Sequence, residues 1–199
     1  MHKPLLCILY SITTLFCCGQ KNFGVDQDCY VYKTSNSIVP MVYYQTKNNW
    51  YATFRYNYEE DRTAPFQFGK TSSKDGNAWY SITPLAGLLA GNFNGASIGS
   101  LAEGGIGKLS IYTEPEYCQS FRNSNESFFY NWAELSFQPH KIFYTGLALQ
   151  TTKTSEGFFN EPGVMLALTI KKFEIPLYFF KSSEYANYFV VGVHWALGE

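Results

Sequence analysis

Two histidines, one arginine and a scatter of carboxylates are the side chains in this 199-residue chain whose types and spacing could do chemistry. His140 follows Pro139, and His194 lies between Val193 and Trp195 with Gly192 and Ala196 on its own side. As a base, either would need a nucleophile or an activated water, and an orienting carboxylate within hydrogen-bond reach. His194 has no acidic neighbour on its own segment, and no His-Glu-x-x-His or glycine-rich phosphate loop occurs. Arg55 is the more informative charge. It shares one face of Trp50–Tyr58 with Tyr51, Thr53 and Asn57, while Trp50, Ala52, Phe54, Tyr56 and Tyr58 share the other. A charge on an inward face needs an opposite charge or water. Glu114 and Glu134 are its nearest counterparts on other alternating segments. Arg55 therefore belongs either to a plug of interior ion pairs or to a water-filled passage whose selectivity it tunes.

Other candidates are weaker. Cys29 and Cys118 are the cysteines outside the N-terminal segment, and both a disulfide and two free thiols are open. Neither has a second Cys or His at ligand spacing, so no metal site is expected. Glu59-Glu60-Asp61 lacks the spacing of a calcium loop and reads as a solvated turn. Asn125-Glu126-Ser127 matches a glycosylation sequon, which matters only in a eukaryotic secretory route.

The elements that must position these residues are strands. Successive strand side chains point to opposite faces, so the alternation of Trp50–Tyr58 marks a strand with one apolar and one polar side. Its length of about nine residues suits a tilted strand crossing a bilayer. The same pattern recurs along the chain. Residues 20 to 27 read as a loose lead-in and Cys29–Lys33 as a short strand. Strands follow at Ile38–Lys47, Trp50–Tyr58 and Phe66–Lys70, then a loop at Ser72–Asn77. Trp79–Gly91 contains Pro84, where the missing donor predicts a bulge. Ala96–Ala102 precedes a turn at Glu103-Gly104-Gly105. Lys108–Cys118, Phe128–Phe137 and Ile142–Thr152 are strands, with a loop at Lys153–Pro162. Gly163–Lys171, Phe173–Phe180 and Tyr188–Leu197 complete the series. The count is about twelve, with eight or ten also open. No segment shows a helical apolar period, and residues 20–199 read as one domain.

Composition narrows the class. Charged residues are 16% and aromatics 19%, with a net charge of -1, so nothing points to nucleic acid. Residues 1–19 read as a cleaved secretory signal: His2-Lys3, an apolar run from Leu5 to Cys18, then Gly19. Lipidation at Cys18 is the rival reading.

The leader, the serial amphipathic strands, the aromatic runs Trp50–Tyr58 and Phe128–Trp132, and an aromatic-rich last strand together resemble bacterial outer-membrane β-barrel proteins. The resemblance spans residues 38 to 197. Trp195 is followed by Ala-Leu-Gly-Glu, so the terminal aromatic common in such barrels is displaced. The resemblance implies an outer-membrane location with the lipid bilayer as partner, and carries over no catalytic residue. The expectation is an all-β antiparallel transmembrane barrel whose polar interior holds Arg55, Thr53, Asn57, Glu114, Glu134 and His194. Its expected role is structural or that of a pore for small solutes, without enzymatic activity or cofactor. Two rivals stand beside it: a secreted soluble β-sandwich or lipocalin-like binding barrel, and an outer-membrane lipid hydrolase using His194. The apolar face decides between membrane and soluble: outward for the first, inward for the second.

Overall fold

Alternation at period two recurs around a complete cylinder. A computed structural model describes residues 22–57, 61–182 and 186–197. The expected leader 1–19, the Cys18 lipidation site, Tyr58, Glu59 and Glu60 lie outside the described residues. The strands are β1 (Asn22–Val31), β2 (Asn36–Gln45), β3 (Trp50–Arg55), and β4 (Thr63–Lys70, continued by Ser72–Lys74). They continue as β5 (Ala78–Gly91), β6 (Gly95–Ile106), β7 (Leu109–Ser120) and β8 (Phe128–His140). The last are β9 (Phe143–Lys153), β10 (Phe158–Ile170), β11 (Phe173–Phe180) and β12 (Tyr188–Ala196). Each pairs antiparallel with its sequence neighbour, and β1 pairs with β12 from Gly24↔Ala196 to Val31↔Phe189, so the twelve-stranded sheet closes on itself.

The outer wall is apolar. Leu135, Leu147, Val164 and Leu177 stand midway along their strands and are 50%, 58%, 55% and 44% exposed. Trp50, Tyr80, Phe137, Phe173 and Trp195 ring the end where the chain termini lie, and Tyr56, Tyr117, Phe121, Phe158 and Phe189 ring the other. An apolar band between aromatic girdles is the signature of a barrel that faces lipid. The polar faces turn inward, which disfavours the soluble sandwich and the lipocalin-like barrel. The terminus end carries short turns such as 107–108, 141–142 and 171–172; the opposite end carries the longer connections 56–62, 121–127 and 181–187.

Several boundaries differ from the sequence reading, for physical reasons. The expected lead-in carries most of β1, because its inward positions Asp26 and Asp28 are polar and hide the alternation of Phe23, Val25 and Cys29. Lys33 and Tyr32 fall in the turn after it. β3 stops at Arg55, since Asn57 takes φ 58 and Arg62 φ 54, while Asn57 Oδ1 accepts from the Arg62 amide at 2.6 Å. The Ser72–Asn77 loop shrinks to a turn at 75–77, which puts it among the other short turns. Glu103, Gly104 and Gly105 are strand, not turn. Their glycines make room, since a Cβ at Gly105 would strike the Trp79 indole, and the reversal falls at Gly107 with φ 61. Phe158–Pro162 belongs to β10 rather than a loop. Pro84 makes no bulge. Pairing with β4 lapses beside it, but the register holds from Gly69↔Leu85 to Ser72↔Ile82, and Thr71 and Thr83 bridge the gap with a 2.8 Å hydroxyl contact. A bulge lies instead beside Pro139, where the β8–β9 register shifts between Phe143 and Thr145.

Cys29 and Cys118 are not joined by a disulfide. Cys29 alternates with the lumen-facing Asp28 and Tyr30 and so points outward, whereas Cys118 is fully buried beside Glu116 in the lumen. The wall separates them, and the disulfide is excluded by geometry.

An arginine in place of Leu147 should destabilise the barrel by about 2–4 kcal/mol in denaturant titrations with lipid vesicles, as a charge at bilayer mid-depth does. On a water-facing surface the same change would stay within about 0.5 kcal/mol. Denatured wild-type chains lacking the leader should yield two reactive thiols with or without reductant.

Candidate functional site: a carboxylate-lined lumen

The inward side chains divide the lumen into two zones. Towards the longer loops it is packed with rings. Trp132 meets Tyr178 edge-on at 5.0 Å and Phe180 at 5.3 Å; Phe180 stacks on Tyr188 at 5.3 Å; Phe93 meets Phe128 at 5.3 Å. Small residues opposite make space. A Cβ added at Gly163 would run into the Phe180 ring, and Ala148, its partner across the β9–β10 pair, is buried beside it. Polar atoms in this zone are paired. Gln150 accepts from Tyr130 at 3.1 Å and donates to Tyr188 at 2.9 Å, and Tyr188 donates to Glu161 at 2.7 Å. Gln67 donates to Glu116 at 2.7 Å and to Ser97 at 3.2 Å.

Towards the short turns the lumen opens into a cavity of about 520 Å³. Asp26, Asp28, Glu103, Glu114, Glu134 and Glu174 line it, with Arg55 and the His194 imidazole facing them. Arg55 pairs with Glu114 across the barrel, both nearly buried, at 4% and 8% side-chain exposure. Tyr112 donates to the other Glu114 oxygen at 2.8 Å, and Arg55 Nε contacts Met41 Sδ at 2.9 Å. Buried as it is, this pair needs the added hydrogen bonds to offset desolvation. Glu134 Oε1 accepts from Trp132 Nε1 at 2.6 Å and from the Tyr178 hydroxyl at 2.8 Å.

His194 sits between the two neighbouring strands' carboxylates. Its Nε2 is 3.1 Å from Asp28 and its Nδ1 3.7 Å from Glu174, which also accepts from Tyr144 at 2.6 Å. Gly192 leaves the room: a Cβ there would press on both Asp28 and His194. The Glu174 side chain is 39% exposed although it points into the barrel, so this part of the lumen is wet.

Of the sequence-selected residues, Arg55, Glu114, Glu134 and His194 come together around this cavity, and Thr53 is buried on the inner face of β3, donating to the Val42 carbonyl at 3.3 Å. Asn57 does not join them. It caps the β3–β4 connection and borders a second cavity of about 470 Å³ at the loop end, with Tyr30, Val39, Asp61 and Arg62. His140 is exposed beside its turn and stacks on Phe143 at 6.3 Å. Sequence reasoning passed over Asp26, Asp28, Glu103 and Glu174. The alternation of Asp26, Asp28 and Tyr30 against Val25 and Cys29 was the signal that would have found the first two. The chain also carries one Gly-x-Ser-x-Gly pattern, Gly95-Ala96-Ser97-Ile98-Gly99, but it is extended strand within β6 rather than a strand-to-helix elbow. Its serine is held by Gln67, and both nitrogens of His194 face carboxylates.

A closed antiparallel barrel of twelve strands, apolar outside and wet within, is the fold of bacterial outer-membrane porins. Among solved structures the chain is similar to the KdgM porin in complex with disordered oligogalacturonate, at 14% identity and a TM-score of 0.62 over 86% of this chain and 98% of that one. It is similar to the NanC porin at 8% identity and a TM-score of 0.65, over 87% and 98% of the two chains. The Pseudomonas aeruginosa protein OpdK, solved with vanillate, matches at 9% identity and a TM-score of 0.50, over 81% of this chain and 56% of its own. At these identities the likeness is one of fold. No protein-family model matches the chain, and no curated protein matches its sequence.

Replacing Arg55 by alanine leaves Glu114 buried without its partner and should cost about 3–5 kcal/mol in vesicle-based unfolding titrations. Combining Arg55→Met with Glu114→Gln should recover most of that loss, because the orphaned charge is gone.

Proposed function

We propose that this protein is an outer-membrane pore for small solutes, exported by its N-terminal segment 1–19, and that it acts without enzymatic chemistry. One observation carries the reading: the 520 Å³ and 470 Å³ cavities lie at opposite ends of the lumen and share Tyr30 and Val39 in their linings. On this reading the route runs along β1 and β2, and Tyr30 and Val39, both buried and lining both cavities, are the partition a solute must pass. Tyr30 stacks on Tyr32 at 6.2 Å and on Tyr188 at 6.3 Å, which holds its ring against the wall at that depth. The fold shared with porins supports the same reading. A lipid hydrolase using His194 is disfavoured, since the imidazole is spanned by Asp28 and Glu174 and, among the described residues, hydrogen-bonds to no hydroxyl nucleophile.

The test begins with the full chain expressed with its leader. It should partition into the outer-membrane fraction and migrate differently on a gel before and after boiling. The purified barrel should then conduct in planar bilayers, and Tyr30→Ala should raise the single-channel conductance by widening the partition. Recovery as a soluble protein with no heat-dependent shift would sink the proposal. Unchanged lipid composition in a strain carrying His194→Ala is expected; lost lipid turnover would revive the hydrolase.

A further inference from the structure

The charge inventory of the lumen selects a class of solute. Among the described residues no lysine lines the 520 Å³ cavity: Lys70 on β4 lies over the outward-facing Trp50 ring, and the others stand in turns, in loops or at strand ends. The arginine that does line it is already paired with Glu114 in a nearly dry contact. The wall that meets water therefore presents Asp26, Asp28, Glu103, Glu134 and Glu174 against one imidazole, that of His194. A wet passage lined by one sign of charge between low-dielectric walls concentrates the opposite ion and repels its own.

Aromatic side chains share the same lining. Tyr30, Tyr112, Tyr144, Tyr178, Trp79 and Trp132 border the cavity together with the carboxylates. Aromatic faces attract organic cations through the ring quadrupole and also cover the apolar part of such a molecule. Carboxylates accept hydrogen bonds from ammonium groups in the charge-assisted manner. An inorganic cation would use only the carboxylates, whereas an organic amine uses both sets.

We infer that the lumen is selective for cations and that small organic amines are its preferred solutes. This rests on the pore reading above and adds the solute class. It separates this chain from the KdgM porin in the chemistry it handles: the oligogalacturonate seen with that porin is a polyanion and would meet like charge along this wall.

The experiment uses the purified full-length barrel in planar bilayers under a salt gradient of potassium chloride. The zero-current potential should report potassium passing about tenfold or more readily than chloride, the lower end of what a charge-lined cleft achieves. Spermidine should reduce the potassium current in a concentration-dependent way, and oligogalacturonate should leave it unchanged. Asp26→Asn combined with Glu103→Gln should bring the permeability ratio several-fold closer to unity. If that variant fails to show a heat-dependent gel shift, the wild-type ratio decides alone. Conductance that favours chloride, or neither ion, overturns the inference and leaves the pore reading standing. Potassium selectivity without spermidine block overturns the assignment to organic amines. A silent bilayer with a correctly folded barrel overturns the pore reading and this inference with it.

Discussion

Everything in this molecule depends on the pairing of its first strand with its last. In a hydrocarbon environment an unpaired backbone N–H or C=O costs several kcal/mol, so an open sheet has two intolerable edges. All the other strand pairs are hairpins between sequence neighbours; β1 with β12 is the contact that turns a meander into a cylinder. Closure fixes which face is inside. The same step that hides the edges therefore commits Asp26, Asp28 and Arg55 to a shared interior, whatever that costs electrostatically.

That cost explains the division of the lumen. The chain packs part of the lumen with rings and leaves cavities of about 520 and 470 Å³ in the rest. At the loop end, stacked rings around Trp132 and Phe180 fill the side of the lumen built by β8, β11 and β12, and the 470 Å³ cavity lies beside β1 and β2. At the turn end the lining is charged, and water is kept rather than expelled. The Arg55–Glu114 pair lies on the cavity lining as the buried contact among those charges. Its partners Tyr112 and Met41 supply the packing that lets an ion pair persist there.

The sequence made the strands legible wherever an apolar outer face alternated with a polar inner one. Arg55 could be assigned to a face because Trp50, Phe54 and Tyr56 flank it without interruption. Glu134 and His194 followed from the same logic on β8 and β12. The failures share a cause. A barrel whose inside is polar produces strands that look like loops when their outward residues are also weak, as Gln27 is in β1. Glu103 was hidden by the two glycines after it, which signal a reversal in most contexts but here relieve crowding against Trp79. The pairing of Arg55 with Glu114 was beyond reach in detail, because it depends on how twelve tilted strands stagger around the wall, which no local pattern encodes. Pro84 misled for the opposite reason. Pro84, Pro115 and Pro176 each sit where ladder pairing lapses on one side, yet the register continues past them, so a lost donor is absorbed without an extra residue.

The closing seam also gives the sheet a cyclic order with no privileged start. The amide of Leu197 reaches the carbonyl of Phe23 at 2.6 Å, so the two ends of the described barrel are neighbours in space. Joining them and cutting elsewhere, for instance between Gly107 and Lys108, would keep every strand pair while changing which pair is formed last. Connectivity along the chain is in that sense incidental to the architecture. What the fold demands is the circular sequence of twelve faces, and the positions of the ends only decide which seam is sealed after the others.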